Sequence, residues 1–163
     1  MTHPPSLTQS GRRAPAKGKV TPSAFIQRYQ ASDVDRILLV RDGIPARYLV
    51  EIGRQMDIPK ERLYDALRLP RSTVDRKIKA DDRLSAEQSE RVIGLERLIG
   101  QVAALVAESG NPDGFDPAHW VGEWLEQPLP ALGGARPADF MDTMEGQGLV
   151  SRLLRQSQAG VFA

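Results

Sequence analysis

From residue 23 onward apolar residues recur at three- and four-residue steps, the period of helices with one buried face. Nowhere does the chain alternate in the two-residue period of a half-buried strand. Phe25, Ile26 and Tyr29 share one side of a short helix over 23–30. Ser32 stands where it can cap a helix over 33–41, in which Val34, Ile37 and Leu38 are predicted to be buried, and Gly43 stops it. Pro45 suits the first turn of a helix over 45–56 with Tyr48, Leu49, Ile52 and Met56 inward. Pro59 opens a short helix with Leu63, Ala66 and Leu67 toward the core. Pro70 breaks it, and Ser72 is expected to cap a helix over 73–79 with Val74 and Ile78 on one side.

The longest helix follows. Ser85 and Gln88 have the spacing of a capping box, and Val92, Leu95, Ile99, Val102 and Val106 form one apolar stripe. Gly94 and Gly100 each cost it about 1 kcal/mol of helix propensity relative to Ala, so they either permit close helix approach or are tolerated in a well-packed helix. After the break at 109–117, Asp116 and Pro117 make an N-cap followed by proline at the first helical position. Trp120, Val121, Trp124 and Leu125 form the buried stripe there. The stretch 127–137 is irregular, Pro137 starts a short helix with Phe140 and Met141, and Thr143 caps a last helix burying Leu149, Val150, Leu153 and Leu154. Gly160 is expected to end that helix.

The pattern predicts an all-α protein: a helix-turn-helix-like domain over 23–84 for DNA binding and dimerisation, and a small helical domain over 85–163. Residues 1–22, with four prolines, Arg12, Arg13, Lys17 and Lys19, read as a disordered basic arm. The net charge of +1 hides an asymmetry: residues 1–91 carry 18 basic and 12 acidic side chains, residues 92–163 carry 4 and 9. A basic half joined to an acidic half suggests two different partners. With no cysteine and two histidines, thiol chemistry and histidine-rich metal clusters are excluded, and no cofactor is expected. No apolar run approaches the length of a membrane span and the N-terminus lacks a secretory signal, so a cytoplasmic location is the default.

Three segments are candidates for function. Residues 63–78 have the outline of a helix-turn-helix without its usual turn glycine. Arg71, Ser72, Thr73, Arg76 and Lys77 are the candidate DNA contacts, through phosphate oxygens and guanine edges. Asp75 repels phosphate and must face away or stay paired. The alternative is a helical hairpin with a solvated charged face. The second segment is 130–137, where Gly133 and Gly134 let the backbone approach a partner closely and Arg136 adds a cation; a plain connecting loop is the simpler reading. The third is the tail, where Val161 and Phe162 either fold back on the core or dock into a partner. His119 reads as a surface or packing residue, and no nucleophile–base–orienter set is present.

The second half resembles the toxin-binding domain of the Xre/MbcA/ParS antitoxins. The resemblance is carried by RVIGLERLIGQVAALV, FDPAHWVGEWL, PLPALGGARPADFMDTMEGQGLVSRLL and the terminal AGVFA. The first half resembles the family's DNA-binding domain more loosely, through residues 43–78. The resemblance implies an antitoxin without catalysis of its own, partnered with a RES-domain toxin that degrades NAD or transfers its ADP-ribose. It implies that Gly133, Gly134, Arg136, Gly160, Val161 and Phe162 face the toxin and block its NAD pocket. It further implies a homodimer within a hetero-oligomeric complex, bound to operator DNA. The alternative is a stand-alone transcriptional regulator whose second half dimerises or senses a ligand.

Overall fold

The computed structural model describes residues 19–161, with side chains through Ser157. Eight α-helices make up the described chain: α1 (Pro22–Gln30), α2 (Asp33–Asp42), α3 (Ala46–Met56), α4 (Lys60–Ala66), α5 (Arg71–Lys79), α6 (Ala86–Glu108), α7 (Pro117–Leu125) and α8 (Met144–Val161). Two 3-10 turns, Pro130–Leu132 and Pro137–Phe140, lie between α7 and α8. Among the described residues there is no strand, only one isolated bridge between Pro45 and Arg83.

Local chemistry sets most helix ends. Thr21, Ser32, Ser85 and Asp116 each accept a backbone N–H at a helix start, and Ser85 with Gln88 completes the capping box. Thr143 accepts from Gly146 at the start of α8. Pro45, Pro59 and Pro70 sit one residue outside their helices, where an extended or polyproline-like backbone suits proline's fixed φ. Ser72 therefore does not cap α5: Pro70 holds the cap position and Ser72 lies inside the first turn.

α6 is the spine, and one contiguous core of buried apolar side chains runs along it from Phe25 to Leu154. α1 lies across α6 at Gly100, so close that a Cβ there would stand 2.1 Å from the Phe25 carbonyl oxygen. That settles the role of Gly100: it admits a neighbouring backbone. Beyond the apolar contacts, Arg28 of α1 donates to Glu96 of α6 at 2.6 Å, and Glu96 is only 1% exposed. The expected basic arm falls mostly on residues 1–18, outside the described residues. Its last part is ordered: Val20 exchanges two backbone hydrogen bonds with the Gln55 amide, at 3.0 and 2.8 Å, and Pro22 already starts α1.

Two burial expectations fail. Val34, Ile37 and Leu38 of α2 are exposed, at 64%, 47% and 51%. α2 carries apolar residues on two faces, and it is Leu39 and Val40 that pack against the core. Helical period cannot choose between two such faces, because the choice is made by where α6 lies. Tyr64, Ile44, Leu69 and Leu84 are buried although the periodic pattern does not single them out. Ile44 and Leu84 flank the bridge, where Leu84 N–H donates to the Ile44 carbonyl at 2.8 Å. The last helix also outruns its expected end, continuing through Gly160 to Val161. A single glycine lowers helix propensity by about 1 kcal/mol, which does not by itself terminate a helix.

Candidate functional site

The first candidate surface is the corner made by α4, the turn 67–70 and α5. The turn lacks glycine, and Arg68 takes its place with a left-handed φ of 49°. Leu69 N–H donates to the Tyr64 carbonyl at 2.8 Å and closes the corner, while Leu67, Leu69 and Val74 are buried beneath it. The sequence suggested that Asp75 must be paired if α5 is to meet an anion, and it is. The Tyr64 hydroxyl donates to Asp75 Oδ1 at 3.1 Å, and Lys60 Nζ stands 3.4 Å from the same atom. Burial, then the bond to Asp75, pushes the Tyr64 hydroxyl well above its ordinary value, so it remains a proton donor.

The five proposed contacts are not equivalent. Arg76 is exposed and carries no ion pair among the described residues, and Ser72 is exposed beside a half-buried Thr73. Lys77 is half-buried, with Nζ 3.5 Å from the Gln88 side-chain oxygen. Arg71 is clamped in two-pronged fashion by Asp65, Nε to Oδ1 at 3.2 Å and Nη2 to Oδ2 at 2.6 Å. It holds the start of α5 to α4, and reaches a phosphate only by leaving that carboxylate. The last turn of α5 gathers Arg76, Lys77 and Lys79, a cationic edge of the kind that phosphate oxygens attract.

The second candidate surface is the loop between α7 and α8. Leu129 N–H donates to the Ala135 carbonyl and Gly134 N–H to the Leu129 carbonyl, both at 3.0 Å, so the chain is pinched at the base and the glycines form its tip. Gly133 and Gly134 have φ of 64° and 89°, a left-handed backbone that side chains rarely adopt. Both are exposed, and a Cβ on either would meet nothing within 4 Å. Their freedom thus serves the shape of the tip and leaves it bare for close approach from outside.

Arg136 lies under this tip, already occupied. Its Nη1 donates to Glu126 at 2.5 Å and its Nη2 to Asp139 at 2.9 Å, while Asp139 also accepts the Arg136 backbone N–H at 3.1 Å. The guanidinium holds the Asp139 carboxyl below its usual range. The sequence offered Arg136 as a free cation, whereas the structure uses it to tie the loop to the end of α7. Gly160 and Val161 lie in the last turn of α8. Phe162 lies outside the described residues.

A chain of polar contacts joins the corner turn to the start of α8. Arg68 pairs with Asp142 at 3.1 Å, Arg91 donates to the Arg68 carbonyl at 3.0 Å, and the Gln147 amide donates to the carbonyls of Arg91 and Met141 at 3.1 and 3.0 Å. The corner turn and the start of α8 are therefore held by one network, which sequence spacing does not reveal. Elsewhere, the His119 ring stands 3.5 Å from Glu123, and Trp120 stacks on Trp124 with ring centroids 6.1 Å apart. Among the described residues no group of three or more His, Cys, Asp or Glu is placed to hold a metal ion, and no helix is long and apolar enough to cross a membrane.

Known proteins divide the chain along the same lines. Residues 35–97 match the antitoxin Xre-like helix-turn-helix domain, and residues 113–160 match the antitoxin Xre/MbcA/ParS C-terminal toxin-binding domain. Over 157 residues the chain is 46% identical to a protein of Sphingobium sp. (strain YBL2) named Prs ADP-ribosylating antitoxin, covering 96% of this chain and 98% of that one. The chain belongs to the Xre/MbcA/ParS antitoxin family. It is also 26% identical over 131 residues to Antitoxin Xre of Pseudomonas putida, covering 80% of this chain and 75% of that one. Both relatives are named as antitoxins, so the α4–α5 corner belongs to the antitoxin's helix-turn-helix domain and the glycine tip to its toxin-binding domain.

Proposed function

We propose that this antitoxin neutralises a RES-domain toxin by occupying its NAD pocket, performs no reaction itself, and represses its own operon in the cytoplasm by binding operator DNA. The observation that carries the reading is 46% identity, over nearly the full length of both chains, to an antitoxin named for ADP-ribosylation chemistry. Residues 23–84 form the DNA-binding and dimerisation part in this reading, and residues 85–163 the toxin-binding part. A bare main-chain tip at Gly133 and Gly134 suits a concave pocket, because backbone enters where side chains clash. Gly160, Val161 and Phe162 extend the contact, and Arg136 keeps the tip in place. Excluding NAD then needs only tight occupancy of the pocket.

Co-expression with the cognate toxin tests this reading. Deleting residues 160–163 is expected to abolish rescue of growth and of cellular NAD, with helical content and operator binding retained. Full rescue by the truncated chain would remove the tail from the mechanism.

For DNA, the last turn of α5 supplies exposed Arg76 and half-buried Lys77, with Ser72 and Thr73 at its start; Arg71 contributes after leaving Asp65. The exposed Val34, Ile37 and Leu38 of α2 supply a self-complementary surface for a homodimer. Reversing charge at Arg76 and Lys77 is expected to weaken operator binding and to lower its log–log salt slope by about 0.9 for each phosphate that is no longer neutralised. Ile37→Asp is expected to yield monomers by light scattering, and to weaken operator binding by removing the second half-site. An unchanged salt slope in the first variant, or an unchanged mass in the second, moves that surface elsewhere.

A further inference from the structure

A cleft of about 270 Å³ opens between α6 and α8, with Tyr29 of α1 at one end. No residue of α4, α5 or the glycine tip lines it. Its charge is unusual for its location. The acidic half of the chain, residues 92–163, contains four basic side chains: Arg97, Arg136, Arg152 and Arg155. Arg136 is neutralised by Glu126 and Asp139. The other three all line this one cleft, no carboxylate lines it with them, and none of the three has an ion pair among the described residues.

Arg152 and Arg155 are exposed, and Arg97, half-buried, is the one of the three that burial penalises. Its Nε is buried without a hydrogen-bond partner, and burial, reinforced by nearby Arg36, pulls its basicity down against smaller opposing effects of Asp33 and Tyr29. Arg152 lies back along α8, its Nη1 3.6 Å from where a Cβ on Gly148 would stand. Gly94 and Gly148 carry no side chain into the space. Leu98 and Met141 are buried in the wall and Met144 is 46% exposed, which gives the cleft apolar lining as well as cations.

We propose that this cleft binds a small organic phosphate, its phosphoryl group held by Arg97, Arg152 and Arg155 and its apolar body resting on Leu98, Met141 and Met144. A phosphate dianion matches the charge better than a monocarboxylate does. The guanidinium fork matches the oxygens of a phosphoryl group in geometry, and a planar donor that is only weakly hydrated is suited to a half-buried site. The volume sits near the lower end of small-molecule pockets, which favours a compact ligand over a full dinucleotide or a peptide segment. The inference stands apart from toxin neutralisation, since none of the residues proposed to face the toxin or DNA is used.

Calorimetric titration of the full chain with phenyl phosphate, inorganic phosphate and benzoate at equal ionic strength tests it. Phenyl phosphate is expected to bind one per chain with a dissociation constant below about 1 mM, about tenfold tighter than either inorganic phosphate or benzoate. Arg152→Gln with Arg155→Gln, both exposed on α8 and safe for folding, is expected to weaken phenyl phosphate at least about tenfold, as is Arg97→Met. The Arg76→Glu/Lys77→Glu variant is expected to bind it unchanged. Three results overturn the proposal: no saturable binding, binding that the α5 variant removes and the α8 variant does not, or equal affinity for phenyl and inorganic phosphate, which would mean an adventitious ion only.

Discussion

Replacing Arg28 with methionine is expected to destabilise the fold by about 3–5 kcal/mol at neutral pH, the usual cost of stranding a buried charge by removing its partner. Glu96 sits in the middle of α6 with 1% exposure, and only its Oε2 is satisfied, by Arg28 Nε at 2.6 Å. Its Oε1 is buried without a hydrogen bond. Burial therefore pushes the Glu96 carboxyl up, and Arg28 is the group that pulls it back down. Tyr48 stands beside the pair, and its hydroxyl is also pushed up, by burial first and by Glu96 second.

The pH dependence follows from that direction. A carboxyl raised in the folded state keeps its proton there while the unfolded chain has already lost it. Its contribution is fully present below the ordinary carboxylate value of 4.5 and is lost as pH rises through the folded value. Taking away Arg28 raises the folded value further and widens that window. The difference in stability between parent and Arg28→Met is thus expected to be smallest near pH 4.5 and to grow as pH rises through the parent's folded value. Denaturant unfolding across the pH range measures it. A loss below about 1 kcal/mol, or one independent of pH, would show that Arg28 does not compensate the buried carboxylate.

The second large effect is at Gly100. Alanine there raises helix propensity by about 1 kcal/mol, and in an isolated α6 it would be a stabilising change. In the folded chain its Cβ falls 2.1 Å from the Phe25 carbonyl oxygen and 2.7 Å from Tyr29 Cβ. Backbone cannot swing aside as a flexible side-chain end does, so α1 must lift from α6 and Phe25 must leave a position of 1% exposure. We expect Gly100→Ala to cost about 1–3 kcal/mol net, in the range of overpacked cores, and Gly100→Leu to detach α1. Limited proteolysis near residues 19–30 reads the detachment directly. Gly133→Ala is the useful contrast: it meets no atom within 4 Å, and its φ of 64° limits the penalty to about 1 kcal/mol of backbone strain.

Both cases mark the limit of what spacing along the chain conveys. The capping box at Ser85 and Gln88, the Asp116–Pro117 helix start and the α6 stripe are local, and each is legible because its partners lie within a few residues. Glu96 reads in sequence as one more charge on a long helix, because only the arrival of α1 turns that position inward. Arg136 reads as a free cation for a partner, because nothing local announces that Glu126, ten residues earlier, folds back to meet it. Arg152 and Arg155 are one helical turn apart in sequence, but Arg97 joins them only when α8 lies beside α6.

Family membership was legible in the sequence because it is written in the order of several motifs, each short, and order survives without coordinates. Helix identity was legible because 3.6-residue periodicity and end-capping are properties of a segment by itself. What remained for the tertiary structure was which face of each helix is turned inward, which charges are neutralised within the fold, and where the others gather. Those outcomes depend on contacts between residues far apart in the chain. α2 shows the reason most plainly: with apolar side chains on two faces, either face satisfies the pattern, and only the position of α6 decides that Leu39 and Val40 go in while Val34, Ile37 and Leu38 stay out.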